Sequence, residues 1–174
     1  MKKYNLQDIG EWATEVKAGD TVSLNGVIYT ARDAAHKRMC DAISKGESLP
    51  FDIKGATIYY AGPTGTPPGA VIGSVGPTTS SRMDVFTPTL LDLGLSAIIG
   101  KGDRSLEVVE SLGKNKALYF CAVGGAGAYI ANCVKSCEVI AYEELGCESV
   151  KKLYVEDFLV FCAIDTDKNS IFNR

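Results

Sequence analysis

Residues 73–84 read Gly73-Ser74-Val75-Gly76-Pro77-Thr78-Thr79-Ser80-Ser81-Arg82-Met83-Asp84. Two glycines, a proline, a run of four hydroxyl side chains and an arginine lie here between an extended apolar segment and residues 83–93, which read as helix. Strand, polar turn and helix in succession are the unit of an α/β fold, and this turn has the composition of an anion cradle. Glycines let the main chain approach a ligand. The first turn of a helix presents unpartnered N–H groups and the positive end of its dipole. Thr78, Thr79, Ser80 and Ser81 can cap those groups or donate to an oxyanion, and Arg82 can grip a carboxylate through two parallel N–H bonds. An ordinary capped helix start after a Gly-Pro turn uses the same residues, and this stretch alone does not separate the two readings.

Upstream, Leu6, Ile9, Trp12, Ala13 and Val16 recur at helical spacing until Lys17-Ala18-Gly19-Asp20 ends the element. Residues 21–31 alternate and are β-branched, with Asn25-Gly26 as a turn or hairpin signal at the middle. Asp33 can then cap a helix running to about Ile43 or Lys45. Arg32 therefore stands at a strand-to-helix junction, as Arg82 does, and two arginines so placed can converge on a ligand with two acidic groups. A surface arginine paired with Asp33 or Glu47 is the plainer alternative. Residues 46–50 form a linker, and residues 56–61 read as a buried strand feeding the turn-rich loop 62–69.

Downstream, Gly94 stops the helix, and Ser96-Ala97-Ile98-Ile99 is a short strand ending at Gly100-Lys101-Gly102-Asp103. A lysine between glycines at a strand end can hold a ligand, although a simple turn lysine has the same setting. Ser105 caps a helix to about Leu112, and residues 117–123 form a strand running into Gly124-Gly125-Ala126-Gly127, which opens another helix. That glycine run lacks dinucleotide-fingerprint spacing, and close packing explains its small residues equally well. Residues 138–142, 153–155 and 159–164 are three further strands. The fold class expected is α/β, or layered β/β/α, with a mixed sheet, hairpin-like strands at both ends and one domain over residues 1–174.

Composition bounds the function. With 174 residues and 46% hydrophobic content, the chain can bury roughly 70% of its unfolded surface without disulfide support. Eighteen basic against 21 acidic residues give a net charge of -3 and no basic tract, which argues against nucleic-acid and membrane-surface partners. The start passes directly to the polar Gln7-Asp8 with no hydrophobic signal core, so a cytoplasmic location is expected. The cysteines at 40, 121, 133, 137, 147 and 162 are scattered and read as free thiols. Cys133 and Cys137 have no second pair and no nearby histidine for zinc, since His36 is the only histidine. No metal site is expected on this chain.

Residues 30–38, Ala61-Gly62-Pro63, residues 73–84, Ile99-Gly100-Lys101-Gly102 and Val155-Glu156-Asp157-Phe158 occur in the order of the motifs of one family. On these motifs, spread over nearly the whole length, the chain resembles the β subunit, equivalent to the C-terminal domain, of class I iron-sulfur fumarases and L(+)-tartrate dehydratases. The resemblance implies a swivelling β/β/α domain that closes over an α subunit carrying a four-iron four-sulfur cluster, in a hetero-oligomer. The reaction implied is reversible addition of water to a small dicarboxylate. The motifs place Arg32, Arg82 and Lys101 around the substrate carboxylates and make Thr78 the proton abstractor, with Lys101 also counted as catalytic. Ser81 departs from the family, which commonly has glycine or alanine before the arginine; substrate preference is the property this touches. His36 receives a helix-packing duty. Two rivals stand beside this reading: a phosphotransfer domain with His36 as phosphate carrier, which lacks the expected glycine turn before the histidine, and a non-catalytic dicarboxylate-binding module.

Overall fold

The computed structural model describes residues 1–172 and is a mixed α/β structure built on a seven-stranded sheet. The strands are β1 (Lys2–Asn5), β2 (Thr21–Thr30), β3 (Thr57–Tyr59), β4 (Ala97–Gly100), β5 (Leu118–Cys121), β6 (Val134–Ala141) and β7 (Val150–Ile164). They run in the order β1-β2-β3-β4-β5-β7-β6. β2, β3, β4 and β5 are mutually parallel, and β7 lies antiparallel to β2, β5 and β6. Because β7 pairs with both β5 and β2, the strands β2, β3, β4, β5 and β7 close into a ring.

The alternation of strand side chains divides the core in two. Tyr59, Ile99, Phe120, Val160, Leu24 and Ile28 fill one cluster, drawn from all five ring strands. Its ends are covered by Leu6, Ile9 and Trp12 on one side and by Ile130 of α5 (Gly127–Cys133) on another. Ile58, Ile98 and Tyr119, one residue out of phase, face a second cluster. It includes Ala35 and Met39 of α2 (Asp33–Ser44), Leu90 and Leu91 of α3 (Thr87–Asp92), and Val108 and Leu112 of α4 (Leu106–Asn115). The α/β class with a mixed sheet agrees with the expectation from the sequence.

Several local expectations are corrected. Asn25-Gly26 is no hairpin turn. β2 runs through it as one ten-residue strand with a bulge, where Gly26 takes φ +123° and the Asn25 side chain accepts from the Asp157 N–H at 3.0 Å. The partner bulge at Asp157 keeps 153–155 and 159–164 in one fifteen-residue strand rather than two. The N-terminal strand pairs parallel to β2, so among the described residues only the C-terminal pair β6–β7 is a hairpin. The helix expected over residues 6–16 is broken into α1 (Ile9–Trp12) with a 3-10 turn on either side. Likewise residues 83–93 hold a 3-10 turn (Ser80–Met83) and then α3, whose start is set by Pro88. Asp33 is the first residue of α2 rather than its cap, and Arg32 occupies the cap position with no side-chain bond.

Candidate active site

Four parallel strands end at one edge, where open α/β sheets hold their ligands. β2 delivers Arg32, β3 leads into the loop that returns as Pro77-Thr78, β4 delivers Lys101, and β5 leads to the Gly124–Gly127 run. The Thr78 N–H donates to the Tyr60 carbonyl at 2.8 Å, and Ala61 pairs with Pro77, so the central stretch adds itself to the end of β3. Ser80 then ties that stretch to β4: its hydroxyl donates to the Thr78 carbonyl at 3.0 Å and accepts from the Lys101 N–H at 2.9 Å. A Cβ at position 100 would collide with that hydroxyl, which is why a glycine precedes Lys101. The glycine run after β5 packs back on the same stretch, with the Val75 N–H donating to the Gly127 carbonyl at 3.1 Å.

Of the two uses the sequence left open for these hydroxyls, capping is not seen, since the Ser80–Met83 turn has no side-chain cap. They hold neighbours instead. Thr78 Oγ1 accepts from Arg82 Nη2 at 3.2 Å, while Arg82 Nε donates to Asp33 Oδ1 at 2.9 Å. Arg32 lies across from them and shares with Arg82 a cleft of about 620 Å³, lined also by Asp33, Lys37, Phe86 and Glu148. Its Nε faces Glu148 Oε1 at 3.7 Å; neither Asp33 nor Glu47 is its partner. Lys101 lines a neighbouring cavity of about 390 Å³ with Thr79, Ser80 and Ser81, so the hydroxyl turn separates it from the arginine cleft. Arg82 and Arg32 are thus brought to one cleft, Thr78 is joined to it through its hydrogen bond from Arg82, and Lys101 lines the neighbouring cavity.

His36 is fully buried one turn into α2, edge-on to Tyr60 with ring centroids 5.2 Å apart. Its Nδ1 lies 2.8 Å from the Arg32 carbonyl, an acceptor, so Nδ1 carries the proton; Nε2 has no partner. Burial pushes its pKa down to about 4, which keeps the ring neutral. A phosphate carrier must be reached by its donor, and this ring is sealed from solvent. Its place is beneath Arg32, fixing the backbone at the mouth of the cleft.

Two features escaped the sequence. Arg104, two residues past Gly102, is buried against Asp84: Nη1 donates to Asp84 Oδ1 at 2.8 Å, and the Ser105 N–H donates to Oδ2 at 2.8 Å. The Arg104 guanidinium also lies 5.1 Å from the Tyr119 ring centre. Burial pushes the Asp84 carboxyl up, against the opposing pull of Ser105 and Arg104. Glu148 is the second feature, delivered from the segment between β6 and β7; neither has a local sequence signal because each depends on chain segments meeting in space.

All six cysteines are free thiols. The Cys133 sulfur lies 3.6 Å from the Asp157 carbonyl, within α5 packing, and burial pushes both the Cys133 and Cys137 thiols up. The helix that the glycine run opens ends at Cys133, and Cys137 sits on β6. Among the described residues, no three histidine, cysteine, aspartate or glutamate side chains gather as a metal site.

A family model described as Fumarase C-terminus matches residues 1–174. The chain is 42% identical over 171 residues to an aerobic class I fumarate hydratase of Escherichia coli strain K12, covering 97% of this chain and 31% of that protein. It is 38% identical to the aerobic class I fumarate hydratase of Salmonella typhimurium, covering 97% of this chain and 30% of the relative. The chain thus spans less than a third of the length of these relatives. A Methanocaldococcus jannaschii protein whose name assigns it as L(+)-tartrate dehydratase subunit beta is 39% identical over 166 residues, 92% of this chain and 85% of that one.

Proposed function

The chain belongs to the Fumarase C-terminus family, and on that premise we propose that it is the β subunit of a two-subunit hydro-lyase acting on fumarate and malate or on tartrate. Residues 1–174 act as one unit that swivels over a cytoplasmic α subunit, with the site lying between them. The observation that carries this reading is the pair of arginines opening on one cleft beside Thr78, each with a carboxylate at its Nε side. A guanidinium with a carboxylate on its Nε edge directs its terminal nitrogens away from that edge, toward the planar, two-pronged grip that carboxylates accept, and in Arg82 one of them also donates to Thr78.

In this reading Arg32 and Arg82 bind the two carboxylates of the substrate, and Lys101 completes the cationic surround when the turn at 79–81 is covered by the partner. Thr78 takes the proton from the carbon next to a carboxylate. A threonine hydroxyl is a poor base, so the proton acceptor is its alkoxide, which the Arg82 Nη2 donor 3.2 Å away stabilises and which returns to the neutral hydroxyl on taking the proton. Loss of that proton and of hydroxide from the neighbouring carbon leaves the double bond and one water. An iron-sulfur cluster carried by the α subunit would supply Lewis-acid chemistry toward the substrate hydroxyl, with the residues named here holding the carboxylates and the proton. The test is an anaerobic assay of this chain co-expressed with the α subunit encoded in its own genome, offering malate, fumarate and both tartrate enantiomers. Turnover of one substrate is expected; a complex with an intact cluster that turns over none of them overturns the assignment.

A further inference from the structure

The segment Glu143–Glu148 carries more order than a surface connection between two strands of a hairpin needs. It is attached to α2 at one end, where Arg38 pairs with Glu144 and lies over the Tyr142 ring, 5.1 Å from its centre. At the other end the buried Lys151 gathers the turn: Nζ donates to the Gly146 carbonyl at 3.1 Å and to Ser149 Oγ at 2.7 Å, with the Cys147 carbonyl at 3.4 Å. No carboxylate pairs with this lysine within 4.0 Å among the described residues. A buried ammonium spent on main-chain oxygens serves to fix the turn. What the turn presents from this fixed position is Glu148, in the arginine cleft.

Glu148 Oε1 and Arg32 Nε are both sealed from solvent, both lack a hydrogen-bond partner, and face each other at 3.7 Å. That is one side-chain adjustment from a charge-assisted hydrogen bond, which forms near 2.8 Å. On the opposite side of the cleft the same relation is already closed, with Arg82 Nε on Asp33 Oδ1 at 2.9 Å. A carboxylate on the Nε edge restrains rotation of the guanidinium and leaves the terminal nitrogens to a ligand. We infer that Glu148 is a positioning residue for Arg32, holding its guanidinium edge-on so that the terminal nitrogens meet a substrate carboxylate, and that the Lys151-gathered turn exists to set Glu148 there. The inference rests on the assignment of Arg32 to substrate binding.

The experiment has two arms. In the co-expressed complex, Glu148→Gln is expected to raise KM about tenfold and to leave kcat within about threefold, because the arginine still binds but samples wrong orientations. Glu148→Asp recovers part of the loss, and Lys151→Gln, which leaves both cleft residues in place, reproduces the Glu148→Gln defect. The second arm needs no turnover: nitrogen-15 NMR of the arginine Nε–H groups in this 174-residue chain. The Arg32 signal, assigned by its loss in Arg32→Lys, is expected to exchange with water at least about fivefold faster in Glu148→Gln, with Arg82 unchanged. Unchanged KM together with unchanged Arg32 exchange overturns the inference. A parent complex with no turnover overturns the hydro-lyase reading, and the NMR arm then decides the positioning role by itself.

Discussion

Arg82 and Arg104 each pair with an aspartate at under 3 Å, and the residues they hold, Asp33 and Asp84, both lie at the same edge of the sheet. Their surroundings differ. The Arg104 side chain is 1% exposed and Asp84 11%; both carboxylate oxygens are filled and an aromatic ring covers the guanidinium. Arg82 is 47% exposed, Asp33 37%, and the arginine spends its second contact on a threonine hydroxyl. A closed pair of this kind joins the 3-10 turn to the loop before α4 and has little left to offer a ligand. An open pair offers terminal donors to whatever enters the cleft. The two arginines are twenty-two positions apart in the chain and have opposite uses, and burial with the state of the partner's oxygens separates them where residue type does not.

The sharpest way to break this comparison is to remove one arginine at a time. Arg104→Met leaves the largely buried Asp84 carboxylate with only the Ser105 N–H, and should cost about 3–5 kcal/mol in urea unfolding of the chain. Arg82→Met, by contrast, should change stability by less than about 1 kcal/mol, as exposed pairs do. Equal losses in the two variants would erase the distinction. Next in size, Arg82→Lys in the assembled complex should lower kcat/KM about 100-fold while the complex still forms. A point charge cannot satisfy Asp33, Thr78 and a substrate carboxylate together. Near-normal kinetics would move Arg82 to the structural class.

The smallest effect concerns His36, which supports the open region from below. Its pKa falls from 6.5 to about 4 on burial, so between those values the unfolded chain binds a proton that the folded chain does not. Its contribution is therefore intact above pH 6.5 and lost as the pH falls toward 4, by about 2 kcal/mol between pH 7 and pH 5. Urea unfolding at the two pH values should show a shallower loss in His36→Gln than in the parent chain. Parallel slopes would mean that the ring is reached by water.

Local signals carried the sequence reading wherever the chain makes its structure from neighbours. Ser105 caps α4 as expected, its Oγ accepting from the Val108 N–H at 3.4 Å, and the strands before Arg32 and Lys101 lie where alternation and β-branching placed them. The family motifs led to Arg32 and Arg82, which share one cleft, to Thr78, which accepts a hydrogen bond from Arg82, and to Lys101, which lines the neighbouring cavity. Asn25-Gly26 misled because its usual meaning is local, while here the main chain is paired with β7 on one side and with β1 on the other. Pairing across that distance overrides turn chemistry. Arg104 and Glu148 stayed invisible for the same reason: a lone arginine after a turn and a glutamate in a polar loop acquire their roles only when Asp84 and Arg32 arrive from other segments.

Ring closure has a consequence for how the chain is made. Thr30 meets Lys151 and Thr21 meets Phe161, so β2 leaves the ribosome well before β7, the strand that pairs one of its sides. Until then a ten-residue strand with strong β preference lies open during synthesis. Such late, distant pairing makes for slow folding and exposes intermediates to aggregation. Folding of this chain is in that sense all-or-none with respect to translation: a nascent chain stalled before residue 150 holds the cationic residues of the cleft and cannot hold them in place.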